Sequence, residues 1–415
     1  MKVYRVSRAM SWKKNMVLML VGLQYLVQFH IVKVQCHATH NGDYAVDREG
    51  LGVTYKHSVK TVQNARGDIF DCVDIYEQPA LDHPSLKDHR IQMAPSSFPG
   101  GQTEEGASKI FPHDIFLNED CPIGTIPITR SRKNGSCLTN TSSSKTMDVT
   151  QDKVLKPLGS YEAQVRMKSG SYYGAEATLN VYGLPQVSAN HLSSSIICIL
   201  NDGDGRGDVE KDNSIMAGWM VNPSLYGDNN THLFINWTID GFRNTGCYDH
   251  LCPGFVQVNP GIPLGATLGP LSVYDGTQYA IRLLVFKDPT TGDWWLAFGK
   301  NKEAVGYWPK SLFNTLNDHA TKVYWGGLVK SPINEPSAPM GSGHFAAEGL
   351  RRACYSADLY LVDGSNDYMR IPEDEVEFRH SDPGCYRTTG YLMNMNFGSQ
   401  GFLFGGPGNC ALMMI

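Results

Sequence analysis

The sequence has no apolar run that reaches the ~20 residues a membrane-spanning helix needs, and charged side chains make up only 19% of its 415 residues. It has no long stretch of helical period and no repeat of 20 to 50 residues, which excludes helical bundles, solenoids and propellers. It has no excess of basic residues either. The formal net charge is −5, and Lys2, Arg5, Arg8, Lys13, Lys14 and Lys33 all fall near the N-terminus, where acids are absent. The rest of the chain is therefore more acidic still and poorly suited to neutralising phosphates, so nucleic acid is excluded as an expected partner. There is no His-Glu-x-x-His pair, no P-loop and no Gly-x-Ser-x-Gly elbow. Familiar zinc-protease, nucleotide and serine-hydrolase chemistries have no support, and no cofactor or metal is expected.

What is present begins with a signal-peptide layout over residues 1–36. A basic region ends at Lys13-Lys14, an apolar run follows from Met16 to Val27, and a cleavage site is expected near Cys36 to Ala38. The expectation is a secreted protein, extracellular or vacuolar, with no membrane attachment once the signal is removed. Of the 10 cysteines, Cys36 leaves with or beside the signal, so an odd number remains and at least one thiol stays free. Cys247 and Cys252 are spaced for a local disulfide that pins a loop, and a zinc reading lacks a second ligand pair. Cys137, Cys198 and Cys354 have no nucleophile context. Asn134, Asn140, Asn229 and Asn236 head Asn-x-Ser/Thr triplets and are candidate glycosylation sites.

Residues 39–130 are mixed and polar, and residues 131–154 are a Ser/Thr-rich linker. From residue 155 to 415 the chain breaks into short runs of β-formers separated by Gly, Pro, Asn and Asp, for example Tyr161 to Met167, Gln278 to Phe286, Trp294 to Phe298 and Lys322 to Val329. This pattern predicts an antiparallel sandwich or barrel. Only Pro309 to Leu316 and the vicinity of Arg351 have a brief helical pattern. The Asp202 to Glu210 loop alternates carboxylates as a calcium loop can, but it lacks the spacing of an EF-hand and reads as a solvated acidic turn. Trp219, Trp237, Trp294-Trp295, Tyr307-Trp308 and Tyr324-Trp325 either line a groove for an extended ligand or fill the sandwich core.

Longer stretches are more specific. They include Tyr172-Tyr173-Gly174-Ala175-Glu176-Ala177-Thr178-Leu179-Asn180, Ala217-Gly218-Trp219 with Val221-Asn222-Pro223-Ser224-Leu225-Tyr226-Gly227-Asp228, Gly246-Cys247-Tyr248 with Leu251-Cys252-Pro253-Gly254, and Val305-Gly306-Tyr307-Trp308-Pro309. Met340-Gly341-Ser342-Gly343-His344-Phe345 and Gly405-Gly406-Pro407-Gly408 complete a collinear pattern that resembles the neprosin family. The segment Asp71-Cys72-Val73-Asp74-Ile75-Tyr76, with Cys121-Pro122-Ile123-Gly124, resembles that family's activation peptide. The resemblance implies a mainly β protein, an antiparallel β-sandwich resembling glutamic peptidases, preceded by a smaller α+β pro-segment. It also implies a secreted glutamic endopeptidase that cleaves after proline, made as a zymogen whose own pro-segment blocks the cleft. The implied bridges are Cys72–Cys121, Cys247–Cys252 and Cys385–Cys410.

The sequence departs from the family where two glutamates are expected. The first position is Met216 in Ile215-Met216-Ala217-Gly218-Trp219, and the second is Tyr324 or Leu328 in Tyr324-Trp325-Gly326-Gly327-Leu328-Val329. None of these side chains can exchange protons as a carboxyl does at acidic pH. The expectation is a protein that binds proline-containing polypeptides in a cleft bearing Trp219, Trp237 and Trp325, with impaired catalysis. The alternatives are an active peptidase using Glu348 or Glu176 as a substitute, and a structural or carbohydrate-binding module.

Overall fold

The computed structural model describes residues 44–46, 53–55, 57–100, 117–130, 158–203, 211–395 and 399–410. The signal region, the linker with Asn134, Asn140 and Cys137, and the acidic loop beyond Gly203 lie outside the described residues. β1 (Tyr44–Val46) and β2 (Val53–Tyr55) pair antiparallel. β3 (Lys60–Gln63), β4 (Ile69–Asp74) and β5 (Thr125–Thr129) form a three-stranded sheet. The Cys72–Cys121 disulfide ties this sheet to the chain before β5. Among the described residues the helical part of this N-terminal unit consists of three 3₁₀ turns, Ile75–Glu77, Pro79–Asp82 and Pro84–Leu86.

The remaining strands are β6 (Leu158–Met167), β7 (Gly174–Asn180), β8 (Leu192–Asn201), β9 (Asn213–Val221), β10 (His232–Thr238), β11 (Cys247–Tyr248), β12 (Val256–Gln257), β13 (Ala280–Lys287), β14 (Trp294–Phe298), β15 (Glu303–Trp308), β16 (Lys322–Pro332), β17 (Cys354–Val362), β18 (Tyr368–Arg370), β19 (Val376–His380), β20 (Arg387–Thr388), β21 (Met393–Asn394) and β22 (Gln400–Gly405). One sheet runs β11-β10-β9-β8-β16-β6-β19. The other runs β12-β15-β14-β13-β7-β17-β22-β20, with β18 on β17 and β21 on β22. All pairings are antiparallel, so the alternation in each strand sends one set of side chains between the sheets and the other set outward. No described helix is long and apolar enough to cross a membrane. The brief helical pattern at Pro309 to Leu316 is a single 3₁₀ turn, Lys310–Leu312.

The core lies between the two sheets. Ile215, Ala217, Trp219 and Val221 of β9 and Val323, Trp325 and Val329 of β16 point into it and meet Ala175, Ala177 and Leu179 of β7. This corrects the cleft expected from the aromatics. Trp219 and Trp325 are fully buried and Trp237 nearly so, because each stands at an inward position of its strand. The Trp219 indole N–H donates to the Asn180 carbonyl across the core at 2.8 Å. Trp237 is capped edge-on by His83 of the N-terminal unit at 6.0 Å.

That unit packs along the β12–β15 end of the second sheet. Asp68 accepts from the Thr267 N–H at 2.7 Å and its hydroxyl at 3.1 Å. The side-chain carbonyl of Gln78 accepts from the Gln257 N–H at 2.9 Å. Phe286, Trp295 and Tyr307 stand opposite one another in register on that sheet's outer face. Phe98 lies 5.4 Å from the Phe286 ring, and His89 forms a 2.7 Å hydrogen bond with the Tyr307 hydroxyl. Asp288 fastens the cover, accepting from the Ser96 N–H at 2.5 Å, its hydroxyl at 2.7 Å and the Gln92 amide at 3.1 Å. These hydrogen bonds hold the Asp288 carboxyl below its ordinary pKa, against a desolvation effect that alone would raise it.

Candidate functional site

The outer face of the seven-stranded sheet carries the residues that alternate with the core set. In β9 these are Met216, Gly218 and Met220. Pairing places Cys198 of β8 opposite Met216 and also opposite Tyr324 of β16, while Asn236 of β10 flanks Met216 on the other side. Asn236, Met216, Cys198 and Tyr324 therefore form one row across four strands. Two residues further along, Gly218 and Gly326 flank Ile196. Gly326 has φ +124°, and a Cβ there would meet the Ala163 carbonyl at 2.5 Å, so this bend in β16 requires glycine. A third row places Ser194 between Met220 and Leu328.

A shallow cleft open to solvent lies on this face. Its lining includes Leu192, Ser194, Met216, Met220, Phe234 and Asn236 from β8 to β10, and Leu328 and Lys330 from β16. Phe242 and Tyr248 close one side. The loop that delivers Phe242 is held by the Asp240 carboxylate, which accepts from the Arg243, Asn244 and Thr245 N–H groups and the Thr245 hydroxyl. The Cys247–Cys252 disulfide follows immediately.

Met216 and Leu328, two of the three positions expected to have lost a carboxylate, thus line the same cleft. Tyr324 shares Met216's row but lies beneath the Arg166 guanidinium, 4.5 Å from its ring, and burial raises the pKa of its phenol. Among the described residues no Asp, Glu or His lines the cleft, and the titratable groups that do are Tyr248 and Lys330. Cys198 is buried between Met216 and Tyr324 in their row, and desolvation pushes its thiol up to about 12. It is a packing residue in its thiol form, with no thiolate available as a nucleophile.

Neither substitute carboxylate is in this cleft. Glu176 is on β7 of the other sheet, fully buried, where it pairs with Arg282 and accepts from the Tyr368 hydroxyl. Glu348 ends the 3₁₀ turn Ala346–Glu348 and is bound to His344 at 3.1 Å and to the Tyr274 hydroxyl at 2.9 Å. Both were candidates because they stand close to the family-like motifs in the sequence, and the strand order and the 3₁₀ turn place them away from the cleft. Sequence reasoning also missed Glu162, which stands opposite Leu328 on β6 but is committed to Arg166, and Lys330, whose role depends on what surrounds it.

The glycosylation reading fails at Asn236, which is 3% exposed in the cleft floor and offers no room for a glycan. Asn229 is exposed, although its amide donates to the Pro185 and Val187 carbonyls at 2.8 and 2.7 Å. The bridges Cys72–Cys121, Cys247–Cys252 and Cys385–Cys410 are all formed, and Cys198 and Cys354 are free and buried. No residue of the described N-terminal unit lines the cleft. Among the described residues that unit packs on the other sheet.

Comparison with known proteins gives two family matches. Residues 189–407 match the model described as Neprosin, and residues 61–175 match the Neprosin activation peptide. Among solved structures, Scytalido-glutamic peptidase with a peptide-based transition state analog aligns with a TM-score of 0.31 and 11% identity, over 59% of this chain and 98% of that one. SCP-B, a member of the Eqolisin family of peptidases in complex with the tripeptide Ala-Ile-His, aligns with a TM-score of 0.28 and 10% identity, over 59% and 98% respectively.

Proposed function

The chain belongs to the neprosin family, and we propose from that premise that it is a secreted binder of proline-containing polypeptides in which the peptidase cleft has lost its acid–base pair. One observation carries the reading: among the described residues, the cleft holding Met216 and Leu328 is lined by no carboxylate or histidine. Hydrolysis by a glutamic dyad needs one carboxyl to take a proton from water and another to give one to the carbonyl oxygen or the departing amine. Thioether and isobutyl groups do neither. Loss of acid–base catalysis lowers a rate roughly 10² to 10⁴-fold, while the sheet floor that would hold an extended chain is retained. Carbohydrate binding has less support, because the tryptophans that suggested it fill the core.

The test is cleavage of a quenched proline-containing peptide across roughly pH 2 to 7, a range spanning carboxyl titration. The native chain is compared with Met216→Glu/Leu328→Glu and with Met216→Glu/Tyr324→Glu. The expected result is no turnover by the native chain, restored acidic turnover in the first variant and none in the second. Turnover by the unmodified protein, dependent on pH as two carboxyls would make it, would sink the reading.

A further inference from the structure

The loss of two carboxyls alters the charge of the cleft, and one lysine gives that change a direction. Lys330 is half-buried in the cleft wall, and among the described residues its ammonium has no carboxylate partner. The ammonium lies 5.8 Å from the centroid of the Phe242 ring. The neighbours opposite it in register, Leu192 and Ser160, are uncharged. Burial lowers its pKa, the sign of an ammonium that is poorly solvated and uncompensated. A second group is also unsatisfied. Asn236 is 3% exposed and bonds Tyr248, but its Oδ1 has no donor. The cleft therefore holds a cation lacking an anion and, buried in its floor, an acceptor lacking an N–H, separated by Met216, Met220, Phe234 and Leu328.

We propose that this cleft receives the free C-terminal end of a polypeptide, its α-carboxylate on the Lys330 ammonium and a backbone N–H on Asn236 Oδ1, the Asn236 side chain turning toward the cleft to accept it. The inference rests on the peptide-binding reading above and narrows it from internal segments to chain ends. Carboxylates at the Met216 and Leu328 positions would repel such an end. With methionine and leucine there, the charge left in the cleft favours it. A fatty acid offers the same carboxylate and a better apolar tail, but has no N–H to satisfy Asn236, and this selects the peptide.

The test uses the full secreted chain and a proline-containing tetrapeptide labelled at its N-terminus, prepared as the free acid and as the C-terminal amide, with fluorescence anisotropy as readout and decanoate as a competitor. The free acid is expected to bind at least about tenfold more tightly than the amide, the order set by one charge-assisted hydrogen bond. Lys330→Met is expected to bring the acid down to the amide, Lys330→Arg to preserve the preference, and decanoate not to compete. Equal binding of acid and amide by the native chain would overturn the carboxylate site while leaving peptide binding intact. Binding of neither peptide would overturn both, as would binding of decanoate alone. If the methionine variant does not fold, the comparison on the native chain decides the matter.

Discussion

At the scale of single residues, the difference between an enzyme and a binder lies in side chains of similar reach. Met216 and Leu328 occupy outward positions on β9 and β16 and line one cleft, so exchanging them for glutamate changes proton chemistry without changing the strand path. A neighbouring pair shows the opposite case, in which burial makes ordinary residues titrate unusually. Desolvation raises the Asp249 carboxyl from 3.8 to about 7, against the Ile235 N–H and the Tyr226 hydroxyl that favour its ionised form. Desolvation also lowers His250 from 6.5 to about 4, and both its ring nitrogens are unpartnered. Between about pH 4 and 7 the folded state keeps a proton on Asp249 that the unfolded chain releases, so this contribution to stability falls as pH rises. Between about pH 4 and 6.5 the unfolded chain keeps a proton on His250 that the folded state lacks, so this contribution rises with pH. The two oppose each other over nearly the same window. Relative to the native protein, Asp249→Asn is expected to lose stability as pH falls from 6.5 to 4, and His250→Phe as pH rises from 4 to 7. Urea midpoints measured against pH check this; three parallel profiles would refute it.

At the scale of elements, the placement of the N-terminal unit is the main result. It lies over Phe286, Trp295 and Tyr307 on the outer face of the ten-stranded sheet, and burial of a large aromatic surface is strongly favourable. Cutting the chain between Arg130 and Leu158 is therefore expected to leave the two parts associated, seen as co-elution of both fragments on gel filtration without denaturant. Asp288 anchors the cover through three hydrogen bonds from Gln92 and Ser96. Asp288→Ala is expected to make residues 87–100 several-fold more sensitive to limited proteolysis while peptide binding at the distant cleft is unchanged. Unaltered proteolysis would show that the aromatic contacts alone hold the segment. The strands themselves were legible as alternating runs bounded by turn formers: Trp294 to Phe298 is β14, and Gln278 to Phe286 differs from β13 only at its ends. The helical pattern near Pro309 shrank to one 3₁₀ turn because Leu312, Phe313 and Leu316 are drawn into the core from an irregular loop.

At the scale of the whole molecule, the sandwich depends on tryptophans that hold the two sheets together. Trp325 is fully buried between them, and its truncation in Trp325→Ala is expected to cost about 3 to 5 kcal/mol, the usual range for emptying an aromatic core site. Equilibrium unfolding in urea measures it, and a loss below about 1 kcal/mol, the range of ordinary surface substitutions, would contradict its core role. The same burial explains why these residues could not serve as a peptide platform. A dense set of aromatics in a β protein is compatible with a groove or a core, and strand register decides between them.

The sequence by itself determined the antiparallel β architecture, through local alternation and turn chemistry, and the family, through long specific motifs; that resemblance in turn implied the three disulfides and marked Met216 and Tyr324 or Leu328 as positions where a glutamate is missing. Only the tertiary structure decided which residues share a surface. Met216 and Leu328 lie more than a hundred positions apart in the chain, and pairing through β8 brings them onto one face. Glu176 lies on β7 of the other sheet and Glu348 in the 3₁₀ turn Ala346–Glu348, and neither lines the cleft, while Lys330 and Asn236 became informative only once their surroundings could be seen. Proximity, burial and unmet hydrogen bonds are properties of the packed chain, and a linear order of residues does not contain them.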